Sequence, residues 1–257
     1  MKDIQIGIIG GTGGMGRMFA GLFRQEGYII HVAGRTRGLD IPTMAATCQV
    51  VIVSVPIGIA CEVIEQIGPH MKKESLLMDI TSLKTKPIKA MLHSSPSEII
   101  GLHPLFGPGI NSIDGHTIVL CPARTQGWLH WLRDILKKHN AIIIETTPER
   151  HDELMALVQA LNHLNSITMG MVLKEWGEDL TELQRFATPM FTKKLDIIRD
   201  IFTNNPRLYA EIITLNPHIL KIIQLYEKTL NDVTSMIEQG DTETFTELMI
   251  KRSMWRP

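Results

Sequence analysis

An excess of charge of either sign is missing: 26 lysines and arginines stand against 27 aspartates and glutamates in 257 residues, a formal net charge of −1. That balance excludes the cationic surface that nucleic-acid binding or a polybasic membrane anchor needs, and it favours small-molecule ligands. Long apolar runs are also missing. Met1 to Ile9 is too short an apolar stretch for a secretory signal, and no later segment reaches the length of a membrane span, so the chain reads as cytoplasmic with no membrane contact. Cysteine is scarce. Cys48, Cys61 and Cys121 are odd in number, widely spaced, without a Cys-x-x-Cys pair and flanked by apolar residues. This pattern indicates buried reduced thiols rather than disulfides or metal ligands, and no metal is expected. Internal repeats, low-complexity tracts and Pro/Gly/Ser linkers are absent too, so two parts of the chain would join through a continuous helix rather than a tether.

What is present starts with glycine. Gly11-Thr12-Gly13-Gly14-Met15-Gly16 follows the apolar, strand-like run Ile4 to Ile9. A strand entering a Gly-x-Gly-x-x-Gly turn delivers the next helix's N-terminus, with its unpaired N–H groups and positive dipole end, onto a dinucleotide pyrophosphate. In this reading Gly11 makes the tight turn, Gly13 admits the pyrophosphate, and Gly16 lets a helix from about Gly14 to Glu26 pack on the strand. A second strand, Tyr28 to Ala33, ends where the adenosine ribose belongs, and Gly34 stands where an NAD site places an acid. Arg35, Thr36 and Arg37 follow, suited to a 2′-phosphate, so the expected cofactor is NAD(P) with NADP favoured; the alternative is that the two arginines are solvated loop charges.

With 44% hydrophobic residues the chain can bury a core as one large domain or two modest ones. Further strands are read at Val50–Val55, Leu76–Ile80, Ile99–Leu102, Thr117–Leu120 and Ala141–Ile144, alternating with helical stretches, which predicts a mostly parallel, Rossmann-type α/β sheet. The dozen residues Arg37 to Cys48 leave one βα unit abbreviated. After Pro148 the strand signal vanishes, and apolar residues recur at helical spacing, as in Leu154, Leu157, Val158, Leu161 and Leu164. The division expected is 1–147, a dinucleotide-binding domain, and 148–257, an all-helical domain. Its apolar stripes exceed what one layer can bury against the first domain, which predicts a homodimer through these helices, the alternative being a self-contained bundle.

Three strand ends carry the candidate chemistry. Ser54, Val55 and Pro56 follow one strand, Asp79-Ile80-Thr81-Ser82 the next, and Gly101-Leu102-His103-Pro104 the third. In doubly wound sheets ligands bind beyond the strand C-termini, so Ser82 and His103 would both face the reacting end of the cofactor. Against this, Ser82 could cap the helix that follows, and His103 could be a structural histidine bonded to backbone.

The resemblance becomes specific here. Asp79-x-x-Ser82, Leu102-His103-Pro104-Leu105-Phe106-Gly107, and His151-Asp152-x-x-Met155 followed by Gln159-Ala160-Leu161-x-His163 resemble the prephenate dehydrogenase family in order and spacing over nearly the whole chain. Leu208-Tyr209-Ala210-Glu211-Ile212-Ile213 looks like its bacterial members without a fused chorismate mutase domain, and the helical part is similar to their dimerisation domain. The resemblance implies oxidative decarboxylation of prephenate to 4-hydroxyphenylpyruvate in tyrosine biosynthesis. His103 would take the ring hydroxyl's proton, Ser82 would hydrogen-bond that hydroxyl or the imidazole, and His163, twelve residues after His151 on one long helix, would reach into the cleft.

One departure concerns the substrate's two carboxylates. After Thr188-Pro189-Met190-Phe191 the related enzymes have an arginine, whereas this chain has Thr192, Lys193 and Lys194. Asp200 stands at the family's second arginine, and Arg199 lies one residue earlier, about 100° round the helix. Arg199, helped by Lys193 or Lys194, is the expected carboxylate ligand. Close alternatives are an enzyme acting on arogenate or 4-amino-4-deoxyprephenate. More distant ones are a non-catalytic nucleotide-binding relative and a β-hydroxyacid dehydrogenase, whose lysine base only Lys174 could supply.

Overall fold

The computed structural model describes residues 4–34 and 40–254. β-branched and leucine runs with few polar interruptions form the strands: β1 (Gln5–Ile9), β2 (Ile29–Ala33), β3 (Val50–Val53), β4 (Leu76–Asp79), β5 (Glu98–Pro104), β6 (Thr117–Arg124) and β7 (Ile142–Glu145). All seven expected strands are present, with ends moved by one to four residues. The sheet order is β2-β1-β3-β4-β5-β6-β7. Every pairing is parallel except β5 with β6. β3 and β4 are buried along their whole length, as strands covered on both faces must be.

Five helices cover the faces: α1 (Gly14–Gln25), α2 (Ile41–Thr47), α3 (Ile57–Ile67), α4 (Thr85–Ser94) and α5 (Trp128–Lys138). Two apolar clusters result, one on each side of the sheet. Phe19, Phe23, Leu132 and Leu136 pack on Ile6, Ile8 and Ile52, and Met44, Ile64, Ile67 and Met91 pack on Val51, Val53 and Leu77. The abbreviated unit is α2, seven residues long, started by the Asp40 carboxylate accepting the Thr43 N–H at 3.0 Å. Cys48 and Cys121 are buried in the second cluster, and burial pushes their thiols up to about 11 and about 12 respectively. Cys61 is half-buried.

β7 is followed at once by helices: α6 (Pro148–Met155), α7 (Asn162–Trp176), α8 (Leu180–Arg185), α9 (Pro189–Thr203), α10 (Pro206–Thr214), α11 (Ile219–Gln239) and α12 (Thr242–Lys251). Thr147 caps α6 by accepting the Arg150 N–H, with Pro148 in the first turn, where its missing N–H costs nothing. Between α6 and α7 the chain stays helical but widens to a π-helix over Ala156–Leu161. The long helix expected through His151 and His163 is therefore continuous but out of α phase at its centre, since a π turn spends an extra residue. A third apolar cluster joins Ile57 and Leu83, beside the sheet, to Ala160, Ile212, Ile213 and Ile219 of the helical part. Among the described residues no helix is long and apolar enough to cross a membrane.

Candidate active site

β1 and β3 are neighbours whose following helices leave in different directions, so a crevice opens beyond their C-terminal ends. At the end of β1 the left-handed residue is Gly10, with φ +77°, and a Cβ there would stand 2.1 Å from the Ser54 carbonyl oxygen. The tight turn is thus made by Gly10, one residue before the Gly11 expected from the motif. Gly16 keeps its expected part. A Cβ on Gly16 would lie 2.5 Å from the Gly10 oxygen and 2.6 Å from the Gly11 Cα, so only glycine lets α1 approach this closely. No side chain caps α1, whose first N–H groups open on a cavity of about 280 Å³. Gly13 and Met15 form one wall of that cavity, and Ser54, Val55 and Pro56 another. A turn that excludes side chains, with an uncapped helix start, fits a dinucleotide pyrophosphate. Thr12 is exposed beside it. Arg35, Thr36 and Arg37 lie outside the described residues.

The same cavity reaches Ser82 and His103. His103 is 3% exposed, and its Nδ1 lies 2.9 Å from His151 Nε2. His151 Nδ1 lies 2.8 Å from Asp152 Oδ1. Direction follows from the far end. Asp152 accepts the backbone N–H groups of Lys84 at 2.8 Å and Thr85 at 2.9 Å, and burial pushes its carboxyl up while the bonds from His151, Thr85 and Lys84 outweigh this and hold it low. A carboxylate only accepts, so His151 donates from Nδ1 and accepts at Nε2; His103 donates from Nδ1, and its Nε2 is left with the lone pair. Burial, the neighbouring His151 and the Lys84 cation push His103 well below the ordinary histidine range. Burial lowers His151 too, with its Asp152 bond pulling the other way. Gln159, in the π turn, brings its Nε2 to 3.4 Å from His103 Nε2.

Beneath this chain Lys84 is fully buried, donating to Asp79 Oδ2 at 2.5 Å and to the Leu102 carbonyl at 2.9 Å. Asp79 Oδ2 also accepts the Thr81 N–H and hydroxyl, which fixes the turn that presents Ser82. Ser82 does not cap α4: Asp152 satisfies that helix start from across the chain.

The substrate-side expectations fall differently. His163 packs edge-on against Tyr209, ring centroids 4.8 Å apart, with its Nδ1 buried and unpartnered among the described residues; burial lowers its pKa. One turn further along α7, Ser166 accepts from Lys194 Nζ at 2.8 Å. Lys193 is exposed. Arg199 pairs with Asp196 at 3.0 Å and lines a second cavity with Lys174 and Leu180. α9 is a regular helix around it, and Arg199 is not among the residues that line the cavity of His103. The arginine that does line the cavity of His103 is Arg207 in α10, with Asn205 and Glu211. The sequence signals of these missed residues are slight. His151, Asp152 and Gln159 lay in motifs without an assigned task, and Arg207 is a cation in the first turn of a helix, the end where the dipole disfavours it.

Two family models match the chain: prephenate dehydrogenase, nucleotide-binding domain, over residues 33–145, and prephenate dehydrogenase, dimerization domain, over residues 147–251. The chain is 34% identical over 266 aligned residues to a Methanocaldococcus jannaschii protein named probable arogenate/prephenate dehydrogenase, covering 96% of this chain and 60% of that one. It is 32% identical to the Haemophilus influenzae T-protein over 251 residues, covering 98% and 67%. The chain thus spans about two thirds or less of the length of these relatives. The fold is shared with A. aeolicus prephenate dehydrogenase, solved in complex with hydroxyphenyl propionate and NAD+, at a TM-score of 0.75 and 19% identity over 97% of each chain.

Proposed function

The chain belongs to the prephenate dehydrogenase family, and from that premise we propose that it catalyses the NAD(P)-dependent oxidative decarboxylation of prephenate to 4-hydroxyphenylpyruvate in tyrosine biosynthesis. The observation that carries the proposal is the chain Asp152–His151–His103, which leaves an unprotonated His103 Nε2 facing a cavity shared with the glycine turn. A bound oxidised nicotinamide supplies the acceptor for the hydride. His103 accepts the proton of the ring hydroxyl as hydride leaves the carbon bearing it, and Ser82 holds that hydroxyl in line. The electrons of the ring carbon–carboxylate bond then aromatise the ring, carbon dioxide departs, and the phenol oxygen recovers the proton from His103. His151 keeps the imidazole in the productive tautomer, and Asp152 offsets the positive charge that arises on the pair.

In this reading residues 1–147 form the dinucleotide domain and 148–257 the helical substrate and dimerisation domain, of a homodimer working in the cytoplasm. The boundary between the two family models, at 145 and 147, supports that division. The turn Gly11–Gly16, with Thr12, Gly13 and Met15, holds the cofactor with Ser54, Val55 and Pro56. Arg35, Thr36 and Arg37 turn the preference to NADP. His163, packed on Tyr209, and Lys194, bonded to Ser166, are the proposed substrate ligands of the helical part. A second reading, arogenate as substrate, is favoured by Asp200 and Thr192, which stand where the related enzymes carry arginines. The test is spectrophotometric: prephenate and arogenate, each with NAD+ and NADP+. Prephenate with NADP+ is expected to have the highest kcat/KM, and failure to reduce either cofactor with prephenate would overturn the assignment.

A further inference from the structure

We infer that Arg207, from the helical part of the chain, is a ligand of the cofactor's pyrophosphate. The inference rests on the dinucleotide reading above and adds to it a residue outside the nucleotide-binding domain. Arg207 stands in the first turn of α10, where a cation opposes the helix dipole, and it precedes Glu211 by four residues, the less favourable order for such a pair. Its position is therefore not the one that helix stability alone would choose.

The surroundings give the side chain a task. Glu211 Oε1 accepts Arg207 Nε at 2.8 Å, and Oε2 accepts the Gly58 N–H at 3.3 Å, in the otherwise uncapped first turn of α3. The carboxylate is 13% exposed and ties the guanidinium to the start of α3, whereas the Arg207 side chain is 71% exposed and lines the cavity. Nε is occupied, so the two Nη groups carry the donors left for a ligand, in the fork geometry that matches phosphate oxygens.

Sheet order decides which ligand. Arg207 is anchored beside the end of β3, one strand from β1 and its glycine turn, and two strands from β5 and His103. At about 4.8 Å per strand, the anchor is about 5 Å from the pyrophosphate's column and about 10 Å from that of the base. A pyrophosphate seated on the uncapped start of α1 therefore lies between two positive features: the helix N-terminus on the sheet side and Arg207 on the helical side.

The test is calorimetric titration of the full chain and of Arg207→Ala with NAD+, NADP+, ADP-ribose and adenosine. The variant is expected to bind the preferred dinucleotide and ADP-ribose tenfold or more weakly, to bind adenosine like the parent, and to lose part of the parent's dependence on ionic strength. Arg207→Lys should recover part of the affinity. ADP-ribose binding within twofold of the parent overturns the inference. So does normal dinucleotide binding combined with a raised KM for prephenate, which makes Arg207 a substrate ligand instead. A parent that binds neither NAD+ nor NADP+ overturns the dinucleotide reading itself.

Discussion

In the proposed reaction His103 serves as the base because of the groups behind it. Its Nδ1 proton is committed to His151, and burial disfavours a second proton on the ring, so Nε2 stays unprotonated below the pH at which an exposed histidine would be charged. Activity should hold as pH falls through the ordinary histidine range and drop only below it. His151→Ala removes one cause of the depression and lets water in, so the acid limb of kcat/KM should move up in pH. His103→Asn should keep cofactor affinity while losing turnover by about two to four orders of magnitude. A variant His103→Asn within a few-fold of the parent, or an acid limb that does not move in His151→Ala, would sink the assignment. Lys84 makes a second prediction. It is fully buried, and Lys84→Met would leave Asp79 charged, buried and short of its cation. Breaking such a pair costs about 3–5 kcal/mol, to be read from urea unfolding, and a loss below about 1 kcal/mol would show the pair to be dispensable. The placing of His103 and Ser82 at one crevice was legible in the sequence, because a residue at the C-terminal end of an apolar strand has a defined place. Asp152 and the Glu211 that holds Arg207 were not, because their partners Lys84 and Gly58 are 68 and 153 residues away.

Strands were the most legible elements, since short β-branched runs between turn residues admit few other readings, and the buried β3 and β4 carry them almost without interruption. Helix phase was not legible. The π turn at Ala156–Leu161 leaves no periodic mark, yet it decides that Gln159 meets His103 while His163 turns to Tyr209. The same limit applied to α9, where one residue separates Arg199 from the position the family uses. At the glycine turn the constraint is steric and can be checked directly. Gly16→Ala would push a methyl group into the Gly10 and Gly11 backbone, which has no flexible end to yield. α1 must lift off β1, at a cost of about 1–3 kcal/mol in stability. The dinucleotide should bind at least tenfold more weakly, because the helix start moves with α1. A Gly16→Ala chain that binds cofactor like the parent would mean that the pyrophosphate sits elsewhere.

The molecule as a whole leaves apolar surface that the described chain does not cover. In the helical part Trp176, Phe186 and Met190 are each about 80% exposed, and α11 exposes Leu220, Leu225, Leu230 and Ile237 along about five turns. So many exposed apolar side chains in one part of the chain mark an interface, and the family model for residues 147–251 is described as a dimerization domain. A second copy of the chain is the expected cover, because a symmetric pair buries the same residues twice. Sedimentation velocity should therefore show a dimer at micromolar concentration. Each leucine withdrawn from the interface forfeits about 1.5–3 kcal/mol, so Leu225→Lys combined with Leu230→Glu should weaken association by about two to four orders of magnitude. The nucleotide domain has its own two clusters on the sheet, so the dissociated double variant should still bind the dinucleotide. A double variant that remains fully dimeric would place the interface off α11, and a parent that sediments as a monomer at all concentrations would leave these apolar residues to another occupant.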